Sequence, residues 1–352
     1  MALYTRLTEM LSIEHPIISA PMAFAAGGKL AAAVTAAGGL GLIGGGYGDA
    51  EWLEREFGEA QKVRVGCGFN TWSLAKRPAL LDLALSHSPA ALMLSFGSPI
   101  PFARRIKAVG VKLICQVQCM EHAREAVAAG ADIIVAQGAE AGGHGASRAT
   151  FTLVPEIADY LAKAAPATAL LAAGGIAEGR GLAAALMLGA DGALIGSRFW
   201  ASTEALVHLA FQKAAITADG DSTTRTTVVD MVRKVDWPKP FTARVMKNRF
   251  VNEWHGRESE FAEPAVLEHE MDRYIKAMQS GDAENTGVWV GEATGLIHDV
   301  RPAGDLLRNI MADAERLLEG NARRGMQKIH SSSHRNISSG SCGKNGSRGE
   351  SQ

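Results

Sequence analysis

One histidine, His144, stands in a glycine-rich segment directly after a strongly apolar run of residues. The run covers 133–135, and residues 142–145 read Gly-Gly-His-Gly. Glycine permits a positive φ and lets the backbone come close to a ligand. Histidine has an unperturbed pKa that suits proton transfer near neutral pH. A strand that ends here would place backbone N–H groups beside a candidate acid–base residue.

Amide residues, glycines, one methionine and one serine stand at corresponding places elsewhere in the chain. Each is found where an apolar run ends. Taken singly, a turn glycine or a polar residue satisfied within the fold is the simpler interpretation. A functional interpretation therefore depends on whether the fold brings these positions together. The positions are Met22, Asn70, Gln116, Gln137, the pair Gly174 and Gly175, and the pair Gly196 and Ser197.

Short apolar runs alternate with helical patterns over roughly the first two hundred residues. Continuous apolar runs joined by amphipathic helices are typical of parallel strands that helices cover on both faces. We count eight runs, which predicts an α/β fold, namely a closed (β/α)8 TIM barrel. A doubly wound open sheet is the alternative. The runs lie at 16–22, 39–43, 63–69, 90–95, 111–116, 132–136, 169–173 and 192–195.

The carboxyl ends of the strands in such a barrel lie on one face, where active sites are built. Glycine turns that lead into helices resemble a phosphate site formed by backbone N–H groups and helix N-termini. Side-chain amides could hydrogen-bond the polar edge of a heterocycle. The combination predicts a phosphorylated planar cofactor such as FMN, bound beside His144.

Composition divides the chain into four parts. We expect the barrel at 1–218 and, at 219–280, a smaller inserted cap region that is charged and aromatic and packs near the barrel mouth. A C-terminal helical return to the barrel follows at 281–325. From 326 to 352, Ser, Gly, His, Lys and Arg predominate. So few apolar residues predict a disordered tail.

Bulk properties argue against several classes of protein. A formal net charge of -1, with scattered Lys and Arg, argues against a nucleic-acid partner. No His, Cys and carboxylate residues have metal-ligand spacing, and the 4 cysteines form no disulfide framework. The N-terminus lacks a signal-peptide core, and the longest uncharged stretch is too rich in turn residues for a membrane span. We expect a cytoplasmic protein.

Four motifs resemble those of the nitronate monooxygenase family, formerly called 2-nitropropane dioxygenases. They are APM at 20–22, QGAEAGGHG at 137–145, AAGGI at 172–176 and GADGALIGSRF at 189–199. The resemblance covers roughly residues 5–320 and implies a TIM barrel that binds FMN. Related FMN-dependent enoyl-acyl-carrier-protein reductases and NADH:quinone reductases share the second motif or close variants.

The resemblance also implies a role for individual residues. His144 matches the catalytic histidine beside the flavin, which acts as a base on neutral nitroalkanes or polarises a bound nitronate. The implied reaction oxidises an alkyl nitronate with O₂ to a carbonyl compound and nitrite, and the flavin supplies the redox chemistry. The implied FMN contacts are Met22, Asn70, Gln116, Gln137, Gly142, Gly143, Gly175, Gly196 and Ser197, with Gly174 beside them in the same turn.

Two other functions remain open on the same scaffold. Gly281 and Asp282, followed by glycines at 287, 291 and 295, resemble the reductase branches, which would use NAD(P)H to reduce enoyl thioesters or quinones. A non-catalytic FMN-binding protein is the third alternative, and a histidine in an exposed glycine turn argues against it. A small-molecule substrate and O₂ are the expected partners, and a homodimer is conceivable.

Overall fold

The computed structural model describes residues 3–336, with side chains up to 320. Eight of its strands close into a parallel barrel in the order β1-β2-β3-β4-β5-β6-β8-β9, which confirms the predicted TIM barrel. The strands in this range are β1 Ile17–Ser19, β2 Leu40–Gly46, β3 Gly66–Asn70, β4 Ala91–Ser95, β5 Lys112–Val117, β6 Ile133–Gln137, β7 Gly143–Gly145, β8 Ala169–Ala173, β9 Gly192–Ile195, β10 Thr223–Thr226 and β11 Thr242–Met246.

Helices follow most of the barrel strands and cover their outer faces. Several begin at residues that satisfy free backbone N–H groups, as Asp49 does by accepting from the Trp52 amide. The helices are α1 Arg6–Leu11, α2 Gly28–Ala36, α3 Ala50–Glu59, α4 Thr71–Leu74, α5 Ala79–Ser86, α6 Ile100–Ala108, α7 Met120–Ala128, α8 Thr150–Ala164, α9 Gly179–Met187, α10 Ser197–Trp200, α11 Leu209–Ile216, α12 Val228–Met231, α13 Arg249–Trp254, α14 Glu258–Phe261, α15 Pro264–Ser280 and α16 Ala303–Asn336.

The barrel strands are apolar on both faces because both faces are buried. One set of side chains, including Ile18, Met93 and Leu171, fills the barrel interior. The alternate set, including Ile43 and Ile134, packs outward against the helices. A strand buried on both sides shows a continuous apolar run rather than an alternating pattern, and this is the signal that the sequence carries.

A second, antiparallel sheet joins the later part of the chain to the barrel. It has the order β10-β11-β7, and β11 pairs with β7 in the register Ala243 opposite His144. The segment around His144, predicted to be a turn, is therefore partly a strand. The reason is long-range: its backbone partners come from about one hundred residues further on, and a local pattern does not reveal them.

The insertion has a core of its own. Val229, Phe250 and Trp254 are buried there together with the ring of Tyr274 from α15. This cluster packs α12, α13 and α15 against the small sheet. The region therefore forms a compact unit attached to the barrel through β7. The predicted domain limits at 218, 280 and 325 remain predictions.

After residue 280 the chain forms a 3-10 turn, Glu292–Leu296, and then the long helix α16, which starts at Ala303. This helix continues to Asn336. The helical return at 281–325 and the disordered tail from residue 326 stay predictions. Residues 337–352 of the tail lie outside the described part of the chain. None of the described helices is both long and apolar enough to cross a membrane.

The contact between α2 and β2 gives a test of the packing. A Cβ on Gly41 would lie 2.0 Å from the backbone oxygen of Ala31, and backbone atoms cannot move aside cheaply. Overpacking of this kind costs about 1–3 kcal/mol, so we expect Gly41→Ala to lower the free energy of unfolding by at least that amount.

The matched control for this change is Gly58→Ala. Gly58 lies in α3 with nothing within 4 Å of an added Cβ. Alanine there should stabilise the protein by about 0.5–1 kcal/mol through helix propensity. Urea denaturation of both variants measures the difference, and equal effects would contradict the close approach of α2 to β2.

Candidate active site

One cavity opens at the carboxyl ends of the barrel strands, with a volume of about 540 Å³. This lies within the range of roughly 300–1,000 Å³ usual for ligand and cofactor sites. All the positions selected from the sequence line this cavity. They are Met22, Asn70, Gln116, Gln137, Gly142, Gly143, His144, Gly174, Gly175, Gly196 and Ser197.

His144 is held on several sides. Its Nε2 lies 2.8 Å from Oδ2 of Asp230, and the two residues are only 8% and 4% exposed. The indole of Trp237 stacks on the imidazole with ring centroids 3.4 Å apart and planes 9° apart. Trp289 lies at 5.5 Å from the ring at an oblique angle. The imidazole therefore has a fixed plane and a fixed partner at one nitrogen.

The expectation of a solvent-facing histidine is wrong. The insertion covers His144 with Asp230 and Trp237, and burial in turn lowers the pKa of the imidazole below its usual 6.5. Asp230 opposes this shift through its hydrogen bond and charge, while Arg233 and Arg225 add to it. Desolvation disfavours the charged ring more strongly than one carboxylate favours it.

Gln137 organises the amides on the opposite side of His144. Its Oε1 accepts from Gln118 Nε2 at 2.9 Å and from Gln116 Nε2 at 3.2 Å. Its Nε2 donates to the backbone oxygen of His144 at 3.0 Å. Gln118, only 1% exposed, was not selected from the sequence. Its position directly after β5, two residues beyond Gln116, is the signal that could have found it.

Three glycines leave open space at the cavity wall. A Cβ on Gly143 would meet nothing within 4 Å, and on Gly175 and Gly196 nothing closer than 3.6 Å. Gly143 and Gly175 also have positive φ values of 72° and 74°. A ligand can approach the backbone closely at these positions. Gly175 comes shortly before α9 and Gly196 directly before α10, and the start of a helix suits an anion such as a phosphate.

Gly142 has a different role in the same wall. A Cβ there would lie 2.5 Å from the backbone nitrogen of Gly291, so both glycines allow two chain segments to touch. Ser197 Oγ accepts from the amide of Gly291 at 2.9 Å. These contacts attach the segment after α15 to the barrel mouth. The glycine at 291 is thus a structural neighbour of the candidate site.

A cation and several aromatic rings complete the cavity. The guanidinium of Arg233 lies over Tyr47 at 5.4 Å and over Trp289 at 5.2 Å. Its Nη1 is 3.9 Å from Oδ1 of Asp230. Trp237 Nε1 donates to the hydroxyl of Tyr47 at 3.1 Å. Sequence spacing gave no signal for this group, because its members come from distant parts of the chain.

The arrangement defines a class of protein. A closed (β/α)8 barrel carries an apolar cavity with a glycine-lined end and a buried imidazole that is hydrogen-bonded to a carboxylate. A cavity at this face of the barrel, with a residue type suited to acid–base chemistry inside it, is typical of an enzyme site.

Comparison with known families identifies which class of enzyme this is. A family model described as nitronate monooxygenase matches residues 4–85 and 77–313. The chain belongs to the nitronate monooxygenase family, and it is an oxidoreductase.

Curated relatives are similar to this chain in sequence over most of their length. A nitronate monooxygenase of Neurospora crassa is 31% identical over 342 residues, which cover 85% of this chain and 89% of that protein. The nitronate monooxygenase npaC of Metarhizium robertsii is 33% identical, with 86% and 91% covered. A probable nitronate monooxygenase of Staphylococcus aureus is 29% identical, with 89% and 98% covered.

Solved structures show the same architecture. FabK from Thermotoga maritima superposes with a TM-score of 0.78 at 32% identity, covering 91% of this chain and 99% of that one. Nitroalkane oxidase from Streptomyces ansochromogenes gives 0.73 at 25% identity, with 90% and 99% covered. The fold and size of this chain therefore match both an oxidase and a protein of the FabK type.

The burial of His144 predicts its titration. Because the folded state resists protonation of this ring, we expect the midpoint below the usual 6.5. As pH falls through 6.5, the unfolded chain takes up the proton first, so the contribution of His144 to stability declines toward acid. NMR of histidine-labelled protein measures the midpoint, and His144→Gln identifies the resonance. A midpoint above 6.5 would contradict the dominance of desolvation.

Proposed function

We propose that the protein binds FMN in the strand-end cavity and oxidises alkyl nitronates with O₂ to carbonyl compounds and nitrite. The observation that carries the proposal is the position of His144 inside a glycine-lined cavity, in a chain of the nitronate monooxygenase family. The substrates are small molecules, and bound flavin supplies the electron transfer between nitronate and O₂. A cytoplasmic location remains a prediction.

The residues present fit FMN. Gly175 and Gly196 leave room for a phosphate next to backbone N–H groups, and Ser197 offers a hydroxyl at the start of α10. Asn70 and Gln116 can hydrogen-bond the polar edge of the ring system, and Met22 offers an apolar contact. The proposed FMN contacts are those two amides with Met22, Gln137, Gly142, Gly143, Gly174, Gly175, Gly196 and Ser197.

His144 is the proposed catalytic residue. Its lowered pKa keeps the imidazole neutral at physiological pH, so the ring is able to accept a proton. The apolar rings around the imidazole exclude water, which strengthens its electrostatic interactions. Gln137 Nε2 donates a hydrogen bond to the backbone oxygen of His144, which links strand β7 to the end of barrel strand β6.

The second candidate function is an NAD(P)H-dependent reductase of enoyl thioesters or quinones. The observation in its favour is the similarity to FabK from Thermotoga maritima, with a TM-score of 0.78 against 0.73 for nitroalkane oxidase. Both functions use the same barrel face, so the geometry of the cofactor site does not separate them. The two functions differ in the electron donor, which is the nitronate for the monooxygenase and NAD(P)H for the reductase.

An electron-donor assay tests the proposed function. Purified flavoprotein should consume O₂ and release nitrite with propyl-1-nitronate, in the absence of nicotinamide. Oxidation of NADH or NADPH, with or without a quinone or enoyl thioester, should stay at the background rate. Rapid nicotinamide oxidation without nitronate turnover would reject the monooxygenase and support the reductase.

A side chain added at Gly196 tests the cofactor site. Since a Cβ there meets only ordinary contacts at 3.7 Å and 3.9 Å, we expect Gly196→Leu to fold while its side chain occupies the phosphate end of the cavity. The dissociation constant for FMN should rise at least about 10-fold, which corresponds to about 1.4 kcal/mol.

Flavin fluorescence titration of the apoprotein gives the dissociation constant for this test. The matched control is Gly58→Leu, which adds the same side chain at an exposed helical position remote from the cavity. Unchanged FMN affinity in the Gly196 variant, with both proteins folded, would refute the assignment of the phosphate end.

A further inference from the structure

The carboxylate of Asp230 faces the candidate base from outside the barrel. Its Oδ2 lies 2.8 Å from His144 Nε2, within the range of a charge-assisted hydrogen bond. A carboxylate accepts hydrogen bonds and does not donate them. The hydrogen at this contact therefore belongs to Nε2, and the neutral imidazole carries its lone pair on Nδ1.

Nδ1 is the nitrogen left for chemistry. It has no hydrogen-bond partner among the described residues, and the ring to which it belongs lines the cavity. Trp237 covers one face of the ring at 3.4 Å. The stacked indole and the carboxylate together leave the imidazole little freedom to rotate or flip.

Asp230 is itself held firmly. It lies in α12 between Val229 and Met231, and its neighbour Val229 is fully buried in the core of the insertion. Its backbone oxygen accepts from the amides of Arg233 and Val235. Because the backbone is anchored on both sides, the carboxylate has a defined position relative to β7.

The charge of this carboxylate is only partly balanced. Oδ1 has no hydrogen-bond partner in the described residues, and the nearest cation is Nη1 of Arg233 at 3.9 Å. The other charged or titratable groups that act on the pair are Arg225, Tyr47 and Tyr274. A second proton on the imidazole would give Asp230 a directly bonded positive partner, and this attraction offsets part of the desolvation cost of the charged ring.

We propose that Asp230 is a positioning residue that fixes His144 with Nδ1 as the proton acceptor for a neutral nitroalkane. This inference rests on the proposed function. The step breaks the C–H bond next to the nitro group. The proton moves to Nδ1, and the electron pair moves into the nitro group to give the nitronate. Asp230 stabilises the imidazolium that results.

The two substrate forms separate this role from a structural one. A preformed nitronate needs no base, whereas a neutral nitroalkane does. Asp230→Asn keeps an oxygen that can accept from Nε2 but removes the negative charge. We expect kcat/KM for neutral nitroethane to fall about 10²–10³-fold, within the span of general-base catalysis. For ethyl nitronate we expect a change of less than about 3-fold, well below that span.

Three further variants define the comparison. His144→Asn gives the rate on neutral nitroethane without any base. Asp230→Glu restores the carboxylate and should recover part of the lost activity. Asp236→Asn makes the same charge change at an exposed position of the same segment and should leave both substrates unaffected.

The outcomes are distinguishable. If wild-type protein oxidises neither form, the proposed function fails and the inference falls with it. If wild-type protein oxidises the nitronate but not the neutral nitroalkane, only the inference is overturned. The same holds if Asp230→Asn lowers kcat/KM equally for both substrates. Should Asp230→Asn fail to fold, ¹⁵N NMR of the wild-type histidines decides. A proton on Nε2 of His144 supports the proposal, and a proton on Nδ1 of the neutral ring overturns it.

Discussion

The contact between His144 and Asp230 joins the insertion to the chain segment that follows barrel strand β6. The histidine lies in β7 and the carboxylate in α12, and both residues are almost completely buried, with the two side chains 2.8 Å apart. Removing one member of a buried pair costs about 3–5 kcal/mol because the other charge or polar group loses its partner. The pairing of β7 with β11 supplies the backbone framework that makes this contact possible. The insertion is therefore part of the active-site wall.

The barrel was predictable because its signal is local and repeated. Strand Ile133–Gln137 is apolar up to Gln137, and strand Ala169–Ala173 is apolar throughout and is followed by Gly174; both Gln137 and Gly174 line the cavity. Parallel strands that are buried on both faces leave this pattern whatever the remainder of the chain does. The eleven selected positions converge on one cavity because a closed barrel brings all carboxyl ends to one face.

Residues supplied by the insertion were not predictable in the same way. Asp230 lies 86 positions after His144, and no periodic pattern connects them. Trp237 and Arg233 come from the same irregular segment, where the sequence indicates only charge and aromaticity. The burial of His144 follows from these long-range contacts, which explains why a solvent-facing histidine was expected. Gln118 was closer to detection, because it follows directly on a barrel strand.

The glycines divide into two physical groups that the sequence alone does not separate. Gly142 and Gly291 permit two backbones to touch, whereas Gly143, Gly175 and Gly196 leave space in front of the wall. The first group builds the cavity, and the second leaves room for what it holds. Gly196 separates the two requirements, because its φ of -102° and its open surroundings let the protein tolerate a side chain that a bound ligand would not.

An anaerobic titration of the flavin-loaded protein identifies the electron donor. Without O₂, the flavin keeps the electrons it receives, and its visible absorbance reports the donor. We expect stoichiometric propyl-1-nitronate to bleach the bound flavin and admission of air to restore its absorbance. Bleaching by NADH or NADPH, with no response to the nitronate, would show that the protein is not a nitronate monooxygenase.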